Sequence, residues 1–275
     1  MNPDRRAALA ALAMAPLAGC ASTGSVTPVA TPRTFVFVPG TWHGGWVWRP
    51  VVDVLTARGH RAFAVTCTGV GERHHLMSPD VGLDTHVADV VNCIEYEQLD
   101  QVVLVGFSFG GITITGVADQ LRDRMAHLIY FDAFVPTRER PAWVERDANG
   151  DWPAWWQTRK AKFVDGYQMD FFAEYPMEML LDTARYPAIA KSVEQRLTRH
   201  PARQWTDPVS FENGGWESLP RSYVHCVGQK FRPSSERMWG IAKTPGWKFR
   251  ELPTDRLGML THPEQTALLL ETLAG

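Results

Sequence analysis

A chain of 275 residues, 45% of them hydrophobic, can bury one large core, and its length does not call for a second one. A formal net charge of −2 gives no electrostatic footprint for nucleic acid or an anionic membrane surface. Four widely spaced cysteines form neither a zinc-site spacing nor a disulfide framework, and no phosphate loop is present, so no metal or cofactor is expected.

At the N-terminus, Arg5 and Arg6 precede an apolar stretch over 7–17 that ends Leu17-Ala18-Gly19-Cys20. A charged start, a short apolar core and small residues before a cut form the pattern of a secretory signal. The ending resembles a bacterial lipobox and the paired arginines a twin-arginine signal. Residues 1–20 are therefore expected to be a lipoprotein-type signal peptide, and 21–33 a flexible linker. The chain would then be exported, either periplasmic or held to a bacterial membrane by a lipid anchor on Cys20. Cys67, Cys93 and Cys226 would remain as small buried hydrophobes, the first and last on strands and Cys93 on a helix.

The body of the chain alternates strand and helix signals. Residues 34–38 (Thr-Phe-Val-Phe-Val) are a β-branched and aromatic run stopped by Pro39-Gly40, hence a buried strand. Residues 49–58 put Val51, Val54 and Leu55 on one helical face, and Gly59 ends the helix. A strand over 60–66, a long loop over 69–84 and a helix over 85–99 follow, the helix with Val87, Val90, Val91 and Ile94 inward. The run 101–105 leads into Gly106-Phe107-Ser108-Phe109-Gly110, a G-x-S-x-G nucleophile elbow between a strand and a helix. A further strand covers 127–131. Strands that are continuous apolar runs indicate a mostly parallel sheet covered by helices on both faces, an α/β fold.

From 136 to about 220 the pattern changes. Trp143, Trp152, Trp155, Trp156, Phe163, Tyr167, Phe171, Phe172 and Tyr175 sit among short, proline-broken helical pieces, which implies an inserted helical cap. Eleven tryptophans are more than a bland core needs, because a buried indole N–H wants a partner; they point to a roomy aromatic pocket. Strands over 221–227 and 247–252 resume the sheet, and an amphipathic helix over 263–273 closes the chain.

Three segments carry a family resemblance: 38–46 (Val-Pro-Gly-Thr-Trp-His-Gly-Gly-Trp), 106–111 and 130–136 (Tyr-Phe-Asp-Ala-Phe-Val-Pro). From about Thr34 onward the chain resembles α/β-hydrolases, specifically bacterial relatives of the plant methylesterase and hydroxynitrile lyase group; the loop 69–76 resembles the bacterial branch. The resemblance implies an α/β-hydrolase domain over 34–275 with Ser108 as nucleophile. It also implies an oxyanion hole from the backbone N–H groups of Thr41 and Phe109. Trp42 and His43, in the same loop, would contact substrate, with His43 a packed loop residue rather than a catalyst.

The departures from the family pattern fall at its catalytic base. That pattern runs like Asp-His-x-x-Met-Leu before Pro, and here Met259, Leu260 and Pro263 fix the frame with Arg256 in the histidine's place. Gln229 stands where many relatives carry an acid, Phe107 precedes the nucleophile where a histidine is usual, and Pro39 replaces the usual histidine before Gly40. Asp132, ending the strand after the elbow, could supply the acid, or could simply cap a turn. His262 is the nearest histidine in sequence, although Thr261-His262-Pro263-Glu264 also fits a capping box; His74 and His75 are more remote candidates. Arg256 could bind a carboxylate or developing anion, or point outward to Asp255; a guanidinium stays protonated and is no base.

Three functions remain open on this reading. One is a serine carboxylesterase for a small hydrophobic ester, using Ser108, Asp132 and a recruited His262. The second is a non-hydrolytic lyase, cyclase or isomerase on a carbonyl compound that uses the oxyanion hole and Arg256. The third is an inactive relative that binds a small ligand.

Overall fold

The computed structural model describes residues 31–275; the expected signal peptide, Cys20 and most of the linker lie outside the described residues. Six strands form one parallel sheet in the order β2-β1-β3-β4-β7-β8: β1 (Thr34–Val38), β2 (Arg61–Ala64), β3 (Val102–Phe107), β4 (Met125–Phe131), β7 (Arg221–Cys226) and β8 (Trp247–Leu252). Two-residue strands β5 (Gln168–Met169) and β6 (His200–Pro201) pair antiparallel, apart from this sheet. The main helices are α1 (Arg49–Ala57), α2 (Leu83–Tyr96), α3 (Gly110–Gln120), α7 (Arg232–Ala242) and α9 (Pro263–Ala274). Short helices α4 (Ala154–Lys160), α5 (Pro187–Glu194) and α6 (Arg203–Thr206) lie between β4 and β7, and α8 (Gly258–Thr261) precedes α9.

The strand order explains where the helices go. The chain leaves β1 for β2 on one side, then crosses back to β3 on the other, so right-handed crossovers put α1 and α2 on opposite faces. Accordingly α1 packs on α9, and α2 on α3. With both faces covered, β1 and β3 are buried along nearly their whole length, which is why they read as unbroken apolar runs rather than alternating ones. The reversal of direction between β1 and β3 also opens a crevice at their C-terminal ends, where open α/β sheets bind ligands.

Several boundaries differ from expectation for local reasons. β2 stops at Ala64 because Thr66 turns its hydroxyl to the Gly45 N–H, 2.7 Å away, and Cys67 therefore lies in a loop. Cys226 does sit on a strand and Cys93 on a helix, though Cys93 is only half-buried. The loop over 69–84 contains a 3-10 turn, Gly71–Leu76. Helix α7 had no counterpart in the periodicity of its segment.

Candidate active site

Four strand ends build the site. β1 runs into Pro39-Gly40-Thr41, β3 into Ser108, β4 into Asp132, and β8 leads to Arg256. Ser108 has φ 52°, a left-handed conformation imposed by the sharp strand-to-helix turn. The flanking glycines are required sterically: a Cβ at Gly106 would lie 2.6 Å from the Gly110 carbonyl oxygen, and one at Gly110 2.8 Å from that of Pro39. Gly40 comes equally close, since a Cβ there would lie 2.7 Å from the Ser108 Cβ. The β1 loop is thereby pressed against the Ser108 turn. Phe109, in front of α3, and Thr41 in that loop spend no backbone N–H on a turn or loop hydrogen bond among the described residues. Both remain available to an oxyanion beside Ser108.

Arg256 closes the site from the other side. It is buried, and its Nη2 donates to Ser108 Oγ at 2.8 Å while its Nη1 donates to Asp132 Oδ2. Its guanidinium also lies 4.7 Å over the Phe231 ring and 5.2 Å from the Phe107 ring centre. So Arg256 points inward rather than to Asp255, whose carboxylate instead accepts from the Leu257 N–H and Thr261 Oγ1. Asp132, with φ 42°, is not a simple turn cap: it holds the arginine, and its Oδ1 stays buried 3.7 Å from His225 Nδ1.

The structure does not bring His262 to Ser108. It sits at the junction of α8 and α9, with Nδ1 3.0 Å from Thr261 Oγ1 and its ring against Tyr186, and lines a separate cavity of about 330 Å³ with Asp255 and Arg185. No capping box forms, because His262 itself occupies the cap position, without a side-chain bond, and Pro263 begins α9. His74 and His75 are exposed on the 3-10 turn and do not line the Ser108 cavity. Gln229 uses Oε1 to accept the Phe231 N–H at 2.6 Å, which fixes the aromatic ring over Arg256.

Among the described residues, the histidine that does line the Ser108 cavity is His43. Its Nδ1 lies 2.8 Å from the Thr41 carbonyl oxygen, which can only accept, so Nδ1 carries the proton and Nε2 presents a lone pair. That Nε2 is buried with no partner among the described residues, and burial pushes the ring's pKa down to about 4.

The cavity itself holds about 400 Å³ and is walled by aromatic rings, as the tryptophan load implied. Trp205 stacks on Phe109 at 4.5 Å and 10°, and donates from Nε1 to Thr41 Oγ1 at 3.3 Å. Trp143 lies 4.1 Å from the Phe134 ring centre. The Trp42 N–H donates to His200 Nδ1 at 3.3 Å, His200 passes a proton-bearing Nε2 to Gln204, and Gln204 donates to Thr113 Oγ1 at 3.2 Å. This buried chain ties the segment between β4 and β7 to the β1 loop and to α3. Trp205, Phe231 and Arg159 were not singled out from the sequence as site residues. For Arg159 a signal exists: it falls three positions after Trp156 in α4, on the same helical face.

Comparison with known proteins agrees with this architecture. A 102-residue stretch is 53% identical to a "Carbendazim hydrolyzing esterase" of Nocardioides sp. (strain SG-4G), covering 37% of this chain and 42% of that protein. "Methylesterase 2" of Arabidopsis thaliana is 24% identical over 252 residues, 84% of this chain and 91% of the relative. The solved structure of an extracellular alpha/beta-hydrolase from a Paenibacillus species superposes with a TM-score of 0.69 at 22% identity, covering 88% of this chain and 99% of that one. The profile of the alpha/beta hydrolase family matches residues 35–267, and the chain belongs to that family.

Proposed function

We propose that the protein is an esterase that cleaves a small, hydrophobic carboxylic ester through Ser108. One observation carries the reading: the Ser108 Oγ stands on a strained elbow at the floor of an aromatic cavity and accepts a guanidinium N–H at 2.8 Å. A charge-assisted donor on a hydroxyl oxygen stabilises the alkoxide and so assists loss of its proton. The esterase names of the Nocardioides and Arabidopsis relatives support the same reading.

In this reaction Ser108 Oγ bonds to the ester carbonyl carbon, and the carbonyl oxygen moves into the Thr41 and Phe109 N–H groups. Each such donor is worth about 3–4 kcal/mol of transition-state stabilisation. The serine proton passes to His43 Nε2, a lone pair on the cavity lining that has no partner among the described residues and takes the proton only once the substrate is bound. It is then returned to the departing alkoxide, and water releases the acyl group by the same route. A ring with a pKa of about 4 is a weak base, so turnover is slow compared with a well-matched triad. Phenyl acetate hydrolysis tests the assignment: Ser108→Ala abolishes it, and His43→Gln lowers kcat about 10²-fold or more. Activity surviving in Ser108→Ala would remove the reading.

The buried Arg256–Asp132 pair favours a second reading, in which the cation stabilises an enolate or polarised carbonyl and no acyl-enzyme forms. Absence of an acyl adduct on Ser108 in the intact protein, with carbonyl substrates still turned over, would select it.

A further inference from the structure

The cavity over Ser108 is lined by Arg140, Arg159, Arg237 and Arg256 and by no acidic side chain among the described residues. Three of these cations are accounted for. Arg256 is held by Asp132, Arg140 lies half-exposed 3.3 Å from Glu145, and Arg237 rests over the Trp143 ring.

Arg159 differs. It is nine-tenths buried; Nη2 donates to the Tyr175 hydroxyl and lies 3.3 Å from Glu174, which Lys162 also approaches at 3.7 Å. Its guanidinium is 4.7 Å from the Trp205 ring centre and 5.4 Å from that of Tyr175. Its Nη1 is buried with no acceptor among the described residues. A guanidinium cannot shed its proton to escape burial, so this buried N–H, on a residue that lines the cavity, calls for an acceptor that the described residues do not supply.

Trp205 joins Arg159 to the Ser108 end of the cavity. One edge of this indole bonds Thr41 Oγ1, one face stacks on Phe109, and Arg159 lies against the ring. Arg159, Thr41 and Phe109 thus all touch the same indole. A flat aromatic ligand suits a cavity walled by Trp143, Phe134, Phe109 and Trp205. We propose that the substrate is an aromatic half-ester: a planar ring with the scissile ester over Ser108 and a free carboxylate accepting from Arg159 Nη1. The ester end of this ligand rests on the esterase reading; the carboxylate end does not.

The experiment measures binding and turnover separately. Quenching of tryptophan fluorescence is titrated with 4-(methoxycarbonyl)benzoate, with dimethyl terephthalate as the neutral counterpart, using the Ser108→Ala protein so that neither is consumed. The expected result is binding of the anion at least 10-fold tighter, with the ratio erased in Arg159→Gln and partly kept in Arg159→Lys. Equal binding of the two compounds, or an undiminished ratio in Arg159→Gln, overturns the proposal. If Arg159→Gln does not fold, the ratio without that substitution still decides, because a value of one or less is fatal. Hydrolysis by the unmodified enzyme is followed in parallel. Anion-selective binding without any hydrolysis would leave the carboxylate site standing and remove the esterase reading, whereas hydrolysis of the diester without anion preference would do the reverse.

Discussion

Asp132→Asn removes one charge from the centre of the site and little else. Asparagine is nearly isosteric with aspartate and tolerates the left-handed backbone at this position, φ 42°, so the turn after β4 keeps its shape. What remains is a guanidinium that is 5% exposed, next to a residue that is 2% exposed, with no counter-charge. Breaking a buried pair by removing one partner costs about 3–5 kcal/mol. One contact offsets part of this: the amide oxygen still accepts from Nη1, worth about 1 kcal/mol. A net loss of about 2–4 kcal/mol follows, which in a domain of this size lowers Tm by roughly 4–16 °C. Differential scanning calorimetry reads it directly. The double variant Asp132→Asn/Arg256→Met removes both charges and should recover part of the loss, because an apolar side chain under Phe231 carries no desolvation penalty. A Tm unchanged in Asp132→Asn, or a double variant showing the full sum of both single losses, would refute the buried-pair reasoning.

Other outcomes follow from the same geometry. Arg256→His places a titratable nitrogen between Asp132 and Ser108 and should raise kcat on phenyl acetate at least 10²-fold, measured by steady-state hydrolysis; a folded variant with no gain would contradict the reading of the Ser108 environment. Stability should fall with acid. Burial holds the His43 and His127 pKa values down to about 4 and lowers those of His86 and His200, whereas the unfolded chain takes up these protons near pH 6.5. Their contribution is therefore complete above pH 6.5 and is lost as the pH falls toward 4, about 3 kcal/mol for His43 alone; urea midpoints between pH 7 and 4 test this, and a flat profile would count against buried neutral histidines. Gly111→Ala would set a Cβ 2.2 Å from the Phe134 carbonyl oxygen and should cost at least about 1–3 kcal/mol in thermal denaturation.

The sheet and the elbow were legible because both are written locally. Unbroken apolar runs mark strands covered on two faces, and Gly106, Gly110 and Gly111 mark a turn where no Cβ fits. Motifs resembling the family's single out Thr41, Ser108, Phe109 and Arg256, Asp132 ends a strand, and the parallel topology brings all five to one edge. Their pairing was another matter. Whether Arg256 faces Asp132 or Asp255 depends on a turn of the backbone after β8, and the sequence offers a carboxylate for either choice. Expecting His262 in the site rested on nearness along the chain, but α8 turns it toward Tyr186 and away from the sheet edge. Helix α7 is weakly patterned, with Gly240 and several polar residues along its length. The walls of the cavity were visible only as an aromatic excess. Arg159 and Trp205 reach the site across more than forty residues of short helices, whose placement follows from packing such as the stack of Trp156, Trp205 and Phe109.

The central claim is that Ser108 is an activated nucleophile, with the guanidinium on its oxygen easing loss of its proton. Reaction of the purified protein with a fluorophosphonate, followed by intact mass with Ser108→Ala as control, tests it most directly. The account predicts one phosphonyl group per chain, absent from the Ser108→Ala protein. A folded protein that stays unlabelled under conditions that saturate a competent serine esterase would contradict it.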